Sequence, residues 1–223
     1  PGITTPGTTR RFAALESTVP PTTDLVTDLS VTTTGKTIVV SNSYCAVNHP
    51  LRCNGGFPNR VVYQLSGHED SKLRFLDRLY RRETRKQPSA AHDSEARARV
   101  VFQSPVRVVL ESTTGYGNGA SKAPGNIRAV YRYVYTPYSR GVVVTATITR
   151  DDTELWNELH FLELSREDYH YTSFITGEPP EQHAMQQPGT KSRGHGGRNW
   201  AVMATEDDAM GVGFNGAAGT RIA

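Results

Sequence analysis

Apolar positions along this chain recur at every second residue far more often than at helical spacing. In NIRAVYRYVYTP, Tyr131, Tyr133 and Tyr135 share one face, and Arg132 and Val134 the other. In GVVVTATITR, Val142, Val144, Ala146 and Ile148 oppose Thr145, Thr147 and Thr149. Period-two alternation marks a strand with one buried face. Further runs rich in β-branched and aromatic residues are LVTDLSV, KTIVVSNSY, NRVVYQLSG, ARVVFQSPVRVVLEST and LWNELHFLELS, separated by turn residues. LRFLDRLYRRE fits helix spacing through Leu73, Leu76, Leu79 and Tyr80, but its neighbours favour a strand and a basic turn. WAVMATEDDAMGVGFNG reads as two short strands around an acidic turn. Long strands with no helical segment between them pair antiparallel. The expected fold class is therefore all-β, a large antiparallel two-sheet β-sandwich.

The breaks in the pattern set the organisation. Residues 1–23 are rich in Thr, Pro and Gly and read as a linker or N-terminal arm. Residues 24–223 read as a single β-sandwich domain. CAVNHPLRCNGGFPN is expected to be a long loop, because Pro50, Gly55, Gly56 and Pro58 resist regular structure. KQPSAAHDSE and residues 177–199 are read as loops too. The chain starts at Pro1 rather than Met and ends on a Gly-rich segment, which suggests a piece cut from a longer protein, with any signal peptide outside it.

Composition narrows the class. The 223 residues are 36% hydrophobic and 21% charged, a globular balance. A chain of this length buries roughly 70% of its unfolded surface, enough for a core without a metal or disulfide. No apolar stretch is long enough to span a membrane. Net charge is +3, so an anionic partner is permitted but not demanded. The charge is uneven: residues 72–107 hold ten Lys/Arg and four Asp/Glu, while 150–183 hold two Arg and nine Asp/Glu. Such segments form solvated faces or pair across strands. The two cysteines, Cys45 and Cys53, are eight positions apart; they either close a short loop, as in an exported protein, or stay free. No second ligand pair has zinc spacing, and no cofactor or metal is expected.

Candidate chemistry follows from the alternation. In the run from Trp156 to Leu164, Trp156, Glu158 and His160 fall on one strand face, with Leu155, Leu159 and Phe161 on the core side. An indole stacks on sugar rings, a carboxylate bonds hydroxyls, and His titrates near neutrality. Asn48, His49 and Arg52 supply hydrogen-bond donors in the 45–59 segment, and Arg binds a carboxylate bidentately. Tyr133 in the tyrosine stripe and Arg132 beside it add an acid and a cation; Trp200, after the Gly-rich RGHGGR segment, is placed as a rim residue. The basic run Arg78, Arg81, Arg82, Arg85 and Lys86 has one aromatic, Tyr80, and no nucleic-acid motif around it. Glu158 and Glu163, five apart, fall on opposite faces of a regular strand, which argues against a glycosidase pair.

TIVVSN, NGGFPNRVVYQLSG, YRYVYTP, ELHFLEL and NWAVMATEDDAMGVG together resemble the large β-sandwich of the galactose mutarotase-like superfamily. That resemblance implies a part in glycan processing, either as a catalytic domain or as a module beside one. Glu158 and His160 come nearest to the mutarotase His/Glu pair, though at a different spacing. The leading expectation is a secreted or extracytoplasmic domain acting on a polysaccharide, an acidic one included, by lyase-type chemistry. His160 or His49 would be the base and Tyr133 the acid, with Glu158 beside them. Trp156, Arg52, Asn48, Arg132 and Trp200 would bind substrate. The alternatives are a non-catalytic glycan-binding or interdomain packing module, with flanking domains of the same protein as partners, and a structural or adhesive sandwich. Nucleic acid is not expected as a partner.

Overall fold

Strands form where β-branched and aromatic residues alternate with polar ones, and turns fall on Gly, Pro, Asn and Ser between them. The structure, a computed structural model, describes residues 25–52, 54–71, 73–80, 87–118, 121–122, 127–150, 156–166, 172–176, 180–184, 195–198, 200–206, 209–213 and 220–222. In chain order the strands are β1 (Ser30–Thr33), β2 (Thr37–Ser41), β3 (Cys45–Pro50), β4 (Arg60–Tyr63), β5 (Glu69–Asp70), β6 (Leu73–Tyr80), β7 (Arg97–Ser104), β8 (Arg107–Gly115), β9 (Gly117–Asn118) and β10 (Ser121–Lys122). They continue as β11 (Arg128–Tyr135), β12 (Val143–Thr149), β13 (Glu158–Arg166), β14 (Ser173–Thr176), β15 (Glu181–Ala184), β16 (His195–Arg198), β17 (Trp200–Ala204), β18 (Ala209–Gly213) and β19 (Thr220–Ile222). The protein is all-β and its pairings are antiparallel. Among the described residues no helix is long and apolar enough to cross a membrane.

Two sheets carry the core. β1 to β5 make a five-stranded meander, and β12-β11-β8-β7 make a four-stranded sheet. Their inner faces meet: Ile38, Val40, Val47, Phe57 and Val61 pack with Val108, Leu110, Ala129 and the tyrosine stripe. Phe57 meets Tyr131 edge-on, with ring centroids 4.8 Å apart. Each aromatic ring so buried removes roughly 150–250 Å² from water, about 4–6 kcal/mol gross. Polar links also cross the layer: Ser112 Oγ donates to Gly55 O at 2.6 Å, and Asn42 Nδ2 to Ser139 O at 2.7 Å. Gly56, at φ 68°, lies so close to Ser112 that a Cβ there would overlap the hydroxyl. β13 pairs with β6, β14 and β17 form the middle of the order β15-β14-β17-β18, and β16 pairs with β19.

Several expectations change. CAVNHP, expected as loop, is β3, paired with β2 and β4. Its punctuating residues begin only at Pro50, so 45–49 are free to extend and bury Val47 and His49. Two short strands, β15 and β16, fall inside the expected 177–199 loop. Regular structure starts at Ser30 rather than at Leu25, and Val26 is 87% exposed. Leu159, expected in the core, is 47% exposed. A register shift between His160 and Glu163 interrupts alternation along β13, because three residues there span two on β6. The strand reading of LRFLDRLY stands as β6. Cys45 is a free thiol whose pKa burial raises; Cys53 and residues 1–24 lie outside the described residues.

Candidate functional site

The histidine and tyrosine expected to do proton chemistry sit in the interior, not on an open surface. His49 is 0% exposed and Tyr133 1%. Their rings meet edge-on at 4.6 Å between centroids. His49 Nδ1 lies 3.1 Å from Gly56 O, and Nε2 lies 2.5 Å from the Tyr135 hydroxyl. A carbonyl only accepts, so Nδ1 carries the proton and Tyr135 donates to Nε2. Burial, against the opposing Gly56 hydrogen bond, lowers the His49 pKa to about 4. Burial likewise lifts the Tyr133 and Tyr135 phenols well above their ordinary range. These groups stay neutral near pH 7 and are screened from a dissolved polymer. The physical reason is the sheet's two-sidedness: alternation that lines up three tyrosines also lines them up against the partner sheet.

A buried carboxylate lies close enough to act on Tyr133. Asp77 on β6 is 0% exposed and accepts from the Tyr116 hydroxyl at 2.6 Å. Burial raises its pKa to about 6, although the Tyr116 hydrogen bond pulls it down. This interior polar group braces β6 against the core and does not open to solvent.

The remaining sequence candidates are dispersed. Trp156 precedes β13, packs against the core and buries its indole N–H. Glu158 and His160 stand on β13 at register positions opposite Tyr80 and Arg78. Asn48 is half-buried on β3, its carbonyl accepting from Asn59 N at 3.0 Å. Trp200 opens β17, half-buried. The expected grouping of Trp156, Glu158 and His160 with the tyrosines on one open face does not form, because the tyrosines face the opposing sheet.

Arg52 and Arg132, by contrast, fall on one surface. Arg132 projects from the outer face of β11, and Arg52 bridges Arg97 at the edge of β7. Residues directly opposite in antiparallel strands share a face. The register therefore draws rows across the four-stranded sheet. One row runs Arg52, Arg97, Thr113, Val130, Thr147; the next runs Arg99, Glu111, Arg132, Thr145. A third runs Phe102, Val109, Val134, Val143, and Arg128 lies at the far end between Gly115 and Thr149. Glu111 is clamped in the middle: Arg99 Nη2 donates to one carboxylate oxygen at 2.9 Å, and Arg132 Nε to the other at 3.0 Å. The hydrogen bond from Arg99, then that from Arg132, holds the Glu111 pKa below the usual carboxylate range. The two arginine side chains remain 72% and 61% exposed.

Among the described residues, the outer face thus presents guanidinium groups at Arg52, Arg97, Arg99, Arg107, Arg128 and Arg132, against the carboxylates of Glu111 and of Glu95, which pairs with Arg97. Threonine hydroxyls flank them at 113, 145, 147 and 149, all exposed. The clamp holds two of the guanidinium planes in place, which spares part of the ordering cost that flexible cations incur on binding. Sequence reasoning found Arg52 and Arg132 but missed Arg97, Arg99, Glu111 and Arg128; the signal was the basic excess of 72–107, whose partners only register reveals. Among the described residues, no three His, Cys, Asp or Glu are grouped to hold a metal ion. The chain matches no family model and no curated protein.

Proposed function

We propose that this is a carbohydrate-binding β-domain of a glycan-processing protein, secreted or extracytoplasmic, which holds an acidic polysaccharide on the outer face of the β12-β11-β8-β7 sheet. The observation that carries this reading is the row Arg99-Glu111-Arg132-Thr145, a braced pair of exposed arginines followed by a hydroxyl. Guanidinium forks suit carboxylate or sulfate groups on a polymer, and threonine hydroxyls suit its ring hydroxyls. Adjacent strands stand about 4.8 Å apart, so the row spans roughly 15 Å, the length of a few sugar residues. The burial of His49 and Tyr133 favours binding over lyase-type turnover by those residues. Single-stranded nucleic acid fits less well, because it is held by base stacking, and Phe102 in these rows is already covered by Arg107.

The test is affinity electrophoresis and calorimetry against uronate, sulfated and neutral polysaccharides and a single-stranded oligonucleotide, with unsaturated product followed by absorbance. Binding to acidic glycans that weakens with salt is expected, and R99Q/R128Q/R132Q is expected to reduce it at least about tenfold with unchanged folding. Equal binding to neutral polymers, or tighter binding to the oligonucleotide, would overturn the proposal. Release of unsaturated product that His160→Ala abolishes would return the lyase reading.

A further inference from the structure

The four-stranded sheet has two edges, and they are treated differently. The β7 edge carries Arg97 and Arg99, a bulge between Val100 and Phe102, and the bridge from Arg52. Charges, bulges and covering segments are the usual means of blocking an edge against unwanted pairing. β12 at the other edge has none of them. Its seven residues, VVTATIT, hold no charge, proline or glycine, and among the described residues it hydrogen-bonds only to β11. Its inward side chains Val144, Ala146 and Ile148 stay half-buried, whereas Ala129, Tyr131 and Tyr133 beside them on β11 are sealed. This strand has the apolar face of a central strand and, among the described residues, pairs on one side only.

The sequence of β12 indicates which neighbour fits. Val144-Thr145-Ala146-Thr147-Ile148 is symmetric about Ala146, with valine matching isoleucine. Laid antiparallel on a second copy about a twofold axis through Ala146, Val144 falls opposite Ile148 on the core side. Thr145 then falls opposite Thr147 on the outer side, and Ala146 opposite itself. An isologous interface needs a self-complementary surface, and here each pair from 144 to 148 joins like with like, Val143 meets Thr149 at the strand ends, and no charges oppose within the strand. We infer that β12 is a dimerisation strand, joining two four-stranded sheets into one continuous eight-stranded sheet. The pairing would complete the burial of Val144, Ala146 and Ile148. It would also run the row that ends in Arg132 and Thr145 directly into the row of the second copy that starts at Thr147 and reaches Arg97 and Arg52. This inference does not rest on the proposed ligand: it is argued from the free edge and core-side residues of β12, while the guanidinium groups of the outer face lie on other strands and on Arg52.

Analytical ultracentrifugation of the full chain at about 1–100 µM tests it, together with two variants. The natural chain should sediment as a dimer in reversible equilibrium. T145K/T147K changes only exposed outer threonines, yet sets two pairs of ammonium groups across the axis; it should weaken dimerisation at least about tenfold while circular dichroism and melting of the monomer stay unchanged. Ala146→Cys in a background lacking Cys45 and Cys53 should form a disulfide-linked dimer under mild oxidation, because residues opposite on antiparallel strands hold their Cα atoms about 4.5–5.5 Å apart. Thr113→Cys, in mid-sheet and in the same background, should not. A monomer across the concentration range, a dimer that survives T145K/T147K, or equal cross-linking at 113 would each overturn the inference.

Discussion

Two buried groups illustrate how single residues set the acid behaviour of this core. His49 has a folded pKa of about 4 against 6.5 in the open chain. The unfolded chain takes up that proton first, so the His49 contribution falls as pH drops from about 6.5 to 4, by about 3 kcal/mol. Asp77 runs the other way. Its pKa is about 6 in the fold against 3.8 unfolded, so the folded chain holds the proton longer. Its contribution falls as pH rises from about 4 to 6, again by about 3 kcal/mol. The two trends oppose across the same window, and stability from this pair should be nearly flat there. Asp77→Asn keeps an acceptor for Tyr116 and removes one trend. In urea denaturation, the stability of that variant relative to the natural chain should rise by about 3 kcal/mol between pH 4 and 6.5. Parallel profiles for the two proteins would show that the groups are not coupled to folding in this way. The alternation pattern revealed that Tyr131, Tyr133 and Tyr135 share a face. It did not reveal which face is wet, since a strand has the same period whichever side it buries.

At the scale of the element, the Arg99-Glu111-Arg132 row joins three strands through one carboxylate. Because both arginines are well exposed, the two ion pairs together add only about 1 kcal/mol to stability. Their larger effect is to fix the guanidinium planes. Glu111→Gln keeps the shape, removes a negative charge from the cationic face and should cost about 1 kcal/mol or less in chemical denaturation. The same variant should bind an acidic polysaccharide more tightly and lose that binding more steeply with added salt, as calorimetry at two ionic strengths will read. Weaker binding would mean that orientation by Glu111 outweighs its charge. The elements were legible in the sequence wherever residue type and period agreed, as in β7, β8, β11 and β12. β3 was hidden by the prolines and glycines that follow it. β13 was found, but its bulge was not, because an extra residue leaves no mark in composition.

Across the whole molecule, self-pairing of β12 would place two cationic faces on one sheet, so a long polymer could engage both at once. The second contact is then intramolecular and raises apparent affinity without any new chemistry. Expected from this is a split: the disulfide-linked Ala146→Cys dimer should bind a long acidic polysaccharide about tenfold or more tighter than its reduced form, and bind a short oligosaccharide with nearly the same affinity. Equal effects on both lengths in parallel titrations would detach avidity from the β12 edge. By itself the sequence determined that the chain is all-β and antiparallel, and which residues alternate together. Those properties are local, set by residue type and a two-residue period. The tertiary structure alone decided that the tyrosine stripe and His49 lie inside, that Arg52 and Arg132 share a surface with Arg97, Arg99 and Arg128, and that β12 ends its sheet. Each of these depends on which strands become neighbours and in what register, and that is fixed by packing between residues far apart in the chain.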